Sequence, residues 1–147
     1  LPPRGTLDRA GANTIHAVPA STIIAVEIQV GRAPSHRVSN IFAGLPLSSA
    51  AEQFTTLVDT SGLRVERIVS PPGHCTPAGE WFDQDRDEFV LVLQGRAALV
   101  FDGREGETVL NPGDYLRLPA GVRHRVSWTD AHQPTIWLAL HHEPPDS

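Results

Sequence analysis

The spacing of its turns constrains this chain more than any other feature. Turn signals stand at Pro71-Pro72-Gly73, Gln94-Gly95, Asp102-Gly103, Asn111-Pro112-Gly113-Asp114 and Pro119-Ala120-Gly121, and from Gly95 onward they recur about every eight residues. Between them lie LRVERIVS, EFVLVLQ, RAALVF, ETVLN, YLRLP, HRVSW and TIWLALHH. Short apolar segments at this rhythm read as strands, and a run of them predicts an all-β sandwich or barrel over residues 39–147.

Upstream the pattern changes. Residues 1–38 read as an arm, irregular except for STIIAVEIQV. There Ile24, Val26, Ile28 and Val30 alternate with Ala25, Glu27 and Gln29, which predicts a strand at 23–30 with one face to bury. Such a strand needs a partner, on the barrel's own edge or on a second copy, so a homodimer is expected. Residues 49–58 read as one short helix. Ser49 and Glu52 have the spacing of a capping box, and Phe54, Leu57 and Val58 supply an apolar stripe.

Composition excludes several classes of partner. Net charge is −5, and all 12 basic residues are scattered arginines, which argues against tracking nucleic acid phosphates. No apolar run is long enough to span a bilayer, and the first residues carry no apolar leader, so a cytoplasmic protein is expected. Cys75 is the sole cysteine, which leaves no internal disulfide and no cysteine-based zinc site.

Two stretches carry a family likeness. GDYLRLPAGVRHRVSW places Gly113, Pro119, Gly121 and His124 at the spacing of the second motif of the cupin superfamily, with Trp128 where that motif ends in Asn. Glu88 and Gly95 match the end of the first motif, Glu followed by six residues and Gly. The chain thus resembles the small single-domain bacterial cupins, a family of jelly-roll barrels, over roughly residues 64–142. The resemblance implies a metal held by His-x-His ahead of the glutamate, by the glutamate itself and by the second-motif histidine. Here the pair is missing. Counting back from Glu88 puts it at Trp81 and Asp83, or in the alternative frame at Phe82 and Gln84.

The surviving groups still share a direction. Glu88, Val90 and Val92 occupy one face of their strand, and His124, Val126 and Trp128 one face of theirs. If both faces line the barrel, Glu88 and His124 are the candidate catalytic pair, in an apolar interior that demands a partner for the carboxylate. Asp83 would complete a metal set with Glu88 and His124, and the resemblance makes iron, manganese or zinc the candidate ions. Trp81, Phe82, Gln84 and Trp128 are the candidate pocket residues. Of His141 and His142, adjacent on one strand, at most one points inward. His74-Cys75 lies in a Pro/Gly loop that would cover the barrel mouth, and Tyr115 reads as packing.

Three functions follow. One is a metal-dependent oxygenase, lyase or isomerase acting on a small molecule. Another is a metal-free acid–base enzyme of the epimerase type. The last is a barrel that binds a small ligand without turning it over. The missing histidine pair discriminates among them, because it removes two imidazoles from the donor set.

Overall fold

The computed structural model describes residues 6–7, 13–15, 36–46 and 49–146. The strand expected at 23–30 lies outside the described residues. Among the described residues eleven strands form two sheets: β1 (Thr6–Leu7), β2 (Asn13–Ile15), β3 (Gln53–Asp59), β4 (Leu63–Ser70), β5 (Glu80–Phe82), β6 (Asp87–Gln94), β7 (Ala97–Phe101), β8 (Thr108–Leu110), β9 (Tyr115–Leu118), β10 (His124–Thr129) and β11 (Thr135–His142). One sheet has the order β1-β2-β5-β10-β7-β8 and the other β3-β4-β11-β6-β9. All pairings are antiparallel except β2 with β5. The two sheets face each other as a jelly-roll barrel, the all-β architecture expected from the turns together with the family likeness.

The core lies between the sheets. Val90, Val92, Ala97, Leu99, Leu110, Leu118, Val126, Trp137 and Ala139 form one buried cluster. Alternation explains it: in β6 the inward residues are Glu88, Val90 and Val92, opposite His141, Ala139 and Trp137 of β11. Gly95 ends β6 at φ +75°, and a Cβ there would lie 2.6 Å from Thr135 Oγ1 and 3.0 Å from Thr135 Cα. The first-motif glycine is therefore required twice, by conformation and by the closeness of the β11 backbone.

The expected helix at 49–58 is corrected to a loop and a strand. Ser49 Oγ accepts hydrogen bonds from the Ala51 amide at 3.2 Å and from Gln53 Nε2 at 2.8 Å, and no capping box forms. From Gln53 the chain pairs along β4, with a bulge between Thr56 and Val58. The cause is composition within the segment. Thr55, Thr56 and Val58 are β-branched and favour a pleated strand, and the edge of β4 offers a full ladder of backbone partners. Phe54 then packs inward opposite Ile68, while Leu57 and Val58 stay exposed.

Candidate functional site

Two neighbouring residues of β6 build the site together. Asp87 is buried. Its Oδ1 accepts from the Ala120 amide at 2.9 Å and its Oδ2 from Arg117 at 2.8 Å. Those bonds, led by Arg117, hold its carboxyl below the ordinary aspartate value. They also tie the start of β6 to the turn that leads into β10. The Gly121 amide donates to the Gln84 carbonyl at 2.8 Å, which fixes the segment between β5 and β6 to the same turn. Glu88 and His124 are thereby brought face to face.

Both are buried, each 5% exposed, and Glu88 Oε2 stands 3.9 Å from His124 Nε2. Gln84 Nε2 donates to Glu88 Oε2. His124 Nδ1 lies 3.0 Å from the Val122 carbonyl. A carbonyl only accepts, so Nδ1 carries the proton there and a neutral ring presents the lone pair of Nε2. Phe82 stacks on the imidazole at 5.7 Å between centroids, and Phe101 flanks it at 6.3 Å.

The pair opens on a cavity of about 50 Å³ lined by Glu52, Phe54, Phe82, Trp137 and His141, with Ile68, Val90 and Leu99 among the apolar walls. One water needs roughly 10–15 Å³ on this measure, so the space suits the reacting end of a small molecule. Further polar groups lie around it, of which Glu52 and His141 line it directly. Glu66 is fully buried, with Oε2 at 3.4 Å from His141 Nε2. Burial alone would pull the His141 pKa down, but Glu66 and Glu88 offset this and hold it above the ordinary imidazole value. At the other end, Glu52 Oε2 accepts from Ser70 Oγ at 2.9 Å and pairs with His74 Nε2 at 3.0 Å. Ser70 Oγ in turn accepts the indole N–H of Trp137 at 3.0 Å. His74 is held there by its loop, whose Thr76 exchanges two hydrogen bonds with Val126 of β10.

The sequence-predicted residues divide. Glu88, His124 and Phe82 come together at the cavity, and Gln84 joins them through its bond to Glu88. Trp81 turns to the other face of β5, between Arg123 and Arg125 at 5.7 and 5.4 Å. Trp128 also leaves the site, because a bulge between Val126 and Trp128 reverses the facing along β10. Its indole N–H donates to Glu107 and Arg96 lies over its ring. Asp83 is half-buried and does not line the cavity. His141 points inward and His142 does not, as adjacent strand residues must. Cys75 is exposed, and Tyr115 is an exposed ring stacked on Phe89. Sequence reasoning misses Glu52 and Glu66. Glu52 is assigned there to a helix cap, and Glu66 shares its strand face with Arg64, Ile68 and Ser70, the less apolar of the two, which alternation assigns to solvent.

A structural or catalytic divalent ion asks for about three protein ligands at roughly 2.0–2.3 Å. Among the described residues no three His, Cys, Asp or Glu side chains are grouped to hold one. Glu88 is engaged by the Gln84 amide, and Asp83 stands off the cavity. The donor set of Asp83, Glu88 and His124 does not fit the ion expected from the resemblance.

Comparison with known proteins agrees with the architecture. The cupin domain family matches residues 67–141. A Ralstonia eutropha protein provisionally described as a mannose-6-phosphate isomerase is 42% identical, over 74% of this chain and 99% of that one, with a TM-score of 0.70. A cupin superfamily protein of Desulfitobacterium hafniense is 18% identical over 76% of this chain and 94% of its own, at 0.61. The DMSP lyase of Ruegeria pomeroyi is 19% identical over 76% of this chain and 57% of its own, at 0.55. No curated protein matches. The motif glycines, the inward Glu88 and His124, and the family match over both motifs agree: this chain belongs to the cupin superfamily.

Proposed function

We propose that the barrel binds a small organic molecule and moves a proton on it, a metal-free acid–base reaction of the isomerase or epimerase type. One observation carries the reading: a buried carboxylate and a buried imidazole face each other across 3.9 Å at the end of an apolar cavity. The His124 tautomer set by Val122 makes Nε2 the base. It takes a proton from a carbon beside a carbonyl, the imidazolium so formed is stabilised by the Glu88 carboxylate facing it, and the same imidazolium returns the proton to the neighbouring carbon of the product. Gln84 fixes the direction of the Glu88 carboxylate, and the aromatic walls exclude water.

The provisional description of the Ralstonia relative supports the isomerase class. Its phosphosugar does not carry over, because no arginine lines the cavity among the described residues and the chain has no lysine. The test is deuterium incorporation. The protein is incubated in D₂O with small α-hydroxy and α-amino carbonyl compounds, and loss of the α-proton signal is followed by NMR. Exchange should fall about 100-fold or more in His124→Ala and in Glu88→Gln. Elemental analysis of protein purified without a nickel column runs beside it. A stoichiometric divalent ion that leaves with His124→Ala overturns the metal-free reading. Saturable binding without exchange assigns the barrel to ligand sensing.

A further inference from the structure

We infer that His141, held by Glu66, is the acid of this site: it gives a proton to the carbonyl oxygen of the substrate while His124 takes one from the adjoining carbon. The inference rests on the proposal that proton transfer takes place in this cavity, and it adds the group that handles the proton on oxygen.

Taking a proton from a carbon beside a carbonyl puts negative charge on the carbonyl oxygen, and an apolar cavity holds that charge only beside a donor. The donors at hand are few. Gln84 is turned to Glu88, and the Trp137 indole N–H is committed to Ser70 at 3.0 Å. Glu52 is engaged by Ser70 at 2.9 Å and His74 at 3.0 Å. With His124 and Glu88 already used as base and counter-charge, His141 is the ionisable lining residue that remains. Sheet register puts it in place. It stands across the β6–β11 ladder from Glu88, which faces His124 at 3.9 Å, so the two imidazoles flank one carboxylate and line the same cavity.

Glu66 is what makes this imidazole a donor. It is fully buried, and among the described residues neither of its oxygens makes a hydrogen bond. His141 Nε2, equally enclosed and unbonded, lies 3.4 Å from Glu66 Oε2. Each is the opposite charge that the other meets. Ser70, on the same strand face as Glu66, is bonded to Glu52, and Arg64, across the ladder from His141, pairs with Asp59 at 3.5 Å. Burial and Arg64 oppose a charged imidazole here, but Glu66 from β4 and Glu88 from β6 outweigh them. With Nε2 turned to Glu66, Nδ1 is the nitrogen left for a molecule in the cavity.

The protons balance over one cycle. The C–H bond breaks toward His124 and its electron pair forms the C=C bond of an enediol, while the carbonyl π pair takes the His141 proton. Neutral His141 then removes the proton of the adjacent hydroxyl, the carbonyl re-forms there, and His124 returns its proton to carbon. Both imidazoles end as they began, with no oxidant and no second substrate.

The test compares two probes in D₂O by NMR. Hydroxyacetone needs a donor on its carbonyl oxygen when its α-proton leaves. Nitroethane needs far less help, because its nitro group already spreads the charge. The double variant Glu66→Gln/His141→Gln removes both charges together and so leaves no buried ion alone. It should lose about 100-fold in hydroxyacetone exchange and only severalfold in nitroethane exchange, a ratio that does not depend on how much protein is folded. His124→Ala should lose both. Hydroxyacetone exchange by the wild-type protein should fall as pH rises through the raised His141 value, that limb should move to lower pH in Glu66→Gln, and Glu66→Asp should restore it. Equal losses on the two probes in the double variant, or a limb unmoved in Glu66→Gln, overturn the inference and leave the proton-transfer reading standing. So does a wild-type protein that exchanges nitroethane but not hydroxyacetone. Exchange on neither probe removes the proton-transfer reading, and this inference with it.

Discussion

Replacing Glu66 by glutamine tests whether the polar end of the barrel is held as an ion pair. The substitution keeps volume and shape, so it creates no cavity and removes only charge. Glu66 is fully buried and lies 3.4 Å from a histidine that is itself 5% exposed. Removing one partner of a buried pair costs about 3–5 kcal/mol while the other stays charged. His141 has an escape, because it can release its proton. In the wild-type fold its pKa is raised, so its contribution is fully present below the ordinary value near 6.5 and is lost as pH rises through the folded value. In Glu66→Gln burial becomes the stronger influence, the folded pKa drops below the unfolded one, and the group then destabilises the fold as pH falls. Each tenfold change in proton affinity between the folded and unfolded chain is worth about 1.4 kcal/mol. The difference between wild type and variant should therefore be large near pH 5 and shrink toward pH 8. Urea melts of both proteins at several pH values measure it, and an NMR titration of His141 locates the group responsible. A difference that is the same at every pH would refute the reasoning.

Gly95→Ala should cost about 2 kcal/mol or more, because it combines a positive φ with a backbone overlap at Thr135; a melting temperature within a degree of wild type refutes it. Asp87→Asn should narrow its stability gap to wild type in acid. The Asp87 carboxyl is held low, so its contribution is present above about 3.8 and lost as pH falls through the folded value; a gap that stays constant in acid melts refutes this. The homodimer expected from the alternating pattern at residues 23–30 should appear as two copies per particle by light scattering, and one copy refutes it.

What was legible in the sequence is what depends on local alternation. Glu88 and His124 sit at fixed offsets from glycines and prolines that end their strands, so period two alone settles which way each points. The helix at 49–58 is misread for a related reason. A Ser-x-x-Glu spacing and a Phe-x-x-Leu-Val stripe satisfy the helical pattern locally, while the ladder that makes the segment a strand is supplied by β4. Trp128 shows how much one inserted residue matters. The bulge after Val126 carries no sequence mark, yet it turns a predicted pocket wall outward. Glu52 and Glu66 are illegible because their partners, His74 and His141, are brought to them by loop closure and sheet register.

The positions left by the missing histidine pair explain the character of the site. Of the two frames counted back from Glu88, the structure turns Phe82 and Gln84 toward the cavity and leaves Trp81 on the opposite face. An imidazole pair there would present two lone pairs inward, the arrangement that gathers an ion. A phenyl ring presents none, and the Gln84 amide presents a proton. The exchange reverses the polarity of that wall from accepting to donating and lowers its capacity to solvate charge. Glu88 and His124 gain from both changes. The amide orients the carboxylate without neutralising it, and the ring beside the imidazole keeps water from it. The same two positions that break the donor set therefore leave a buried carboxylate and a buried imidazole facing each other at one small space. That is the arrangement on which the proposed proton transfer on a small molecule rests.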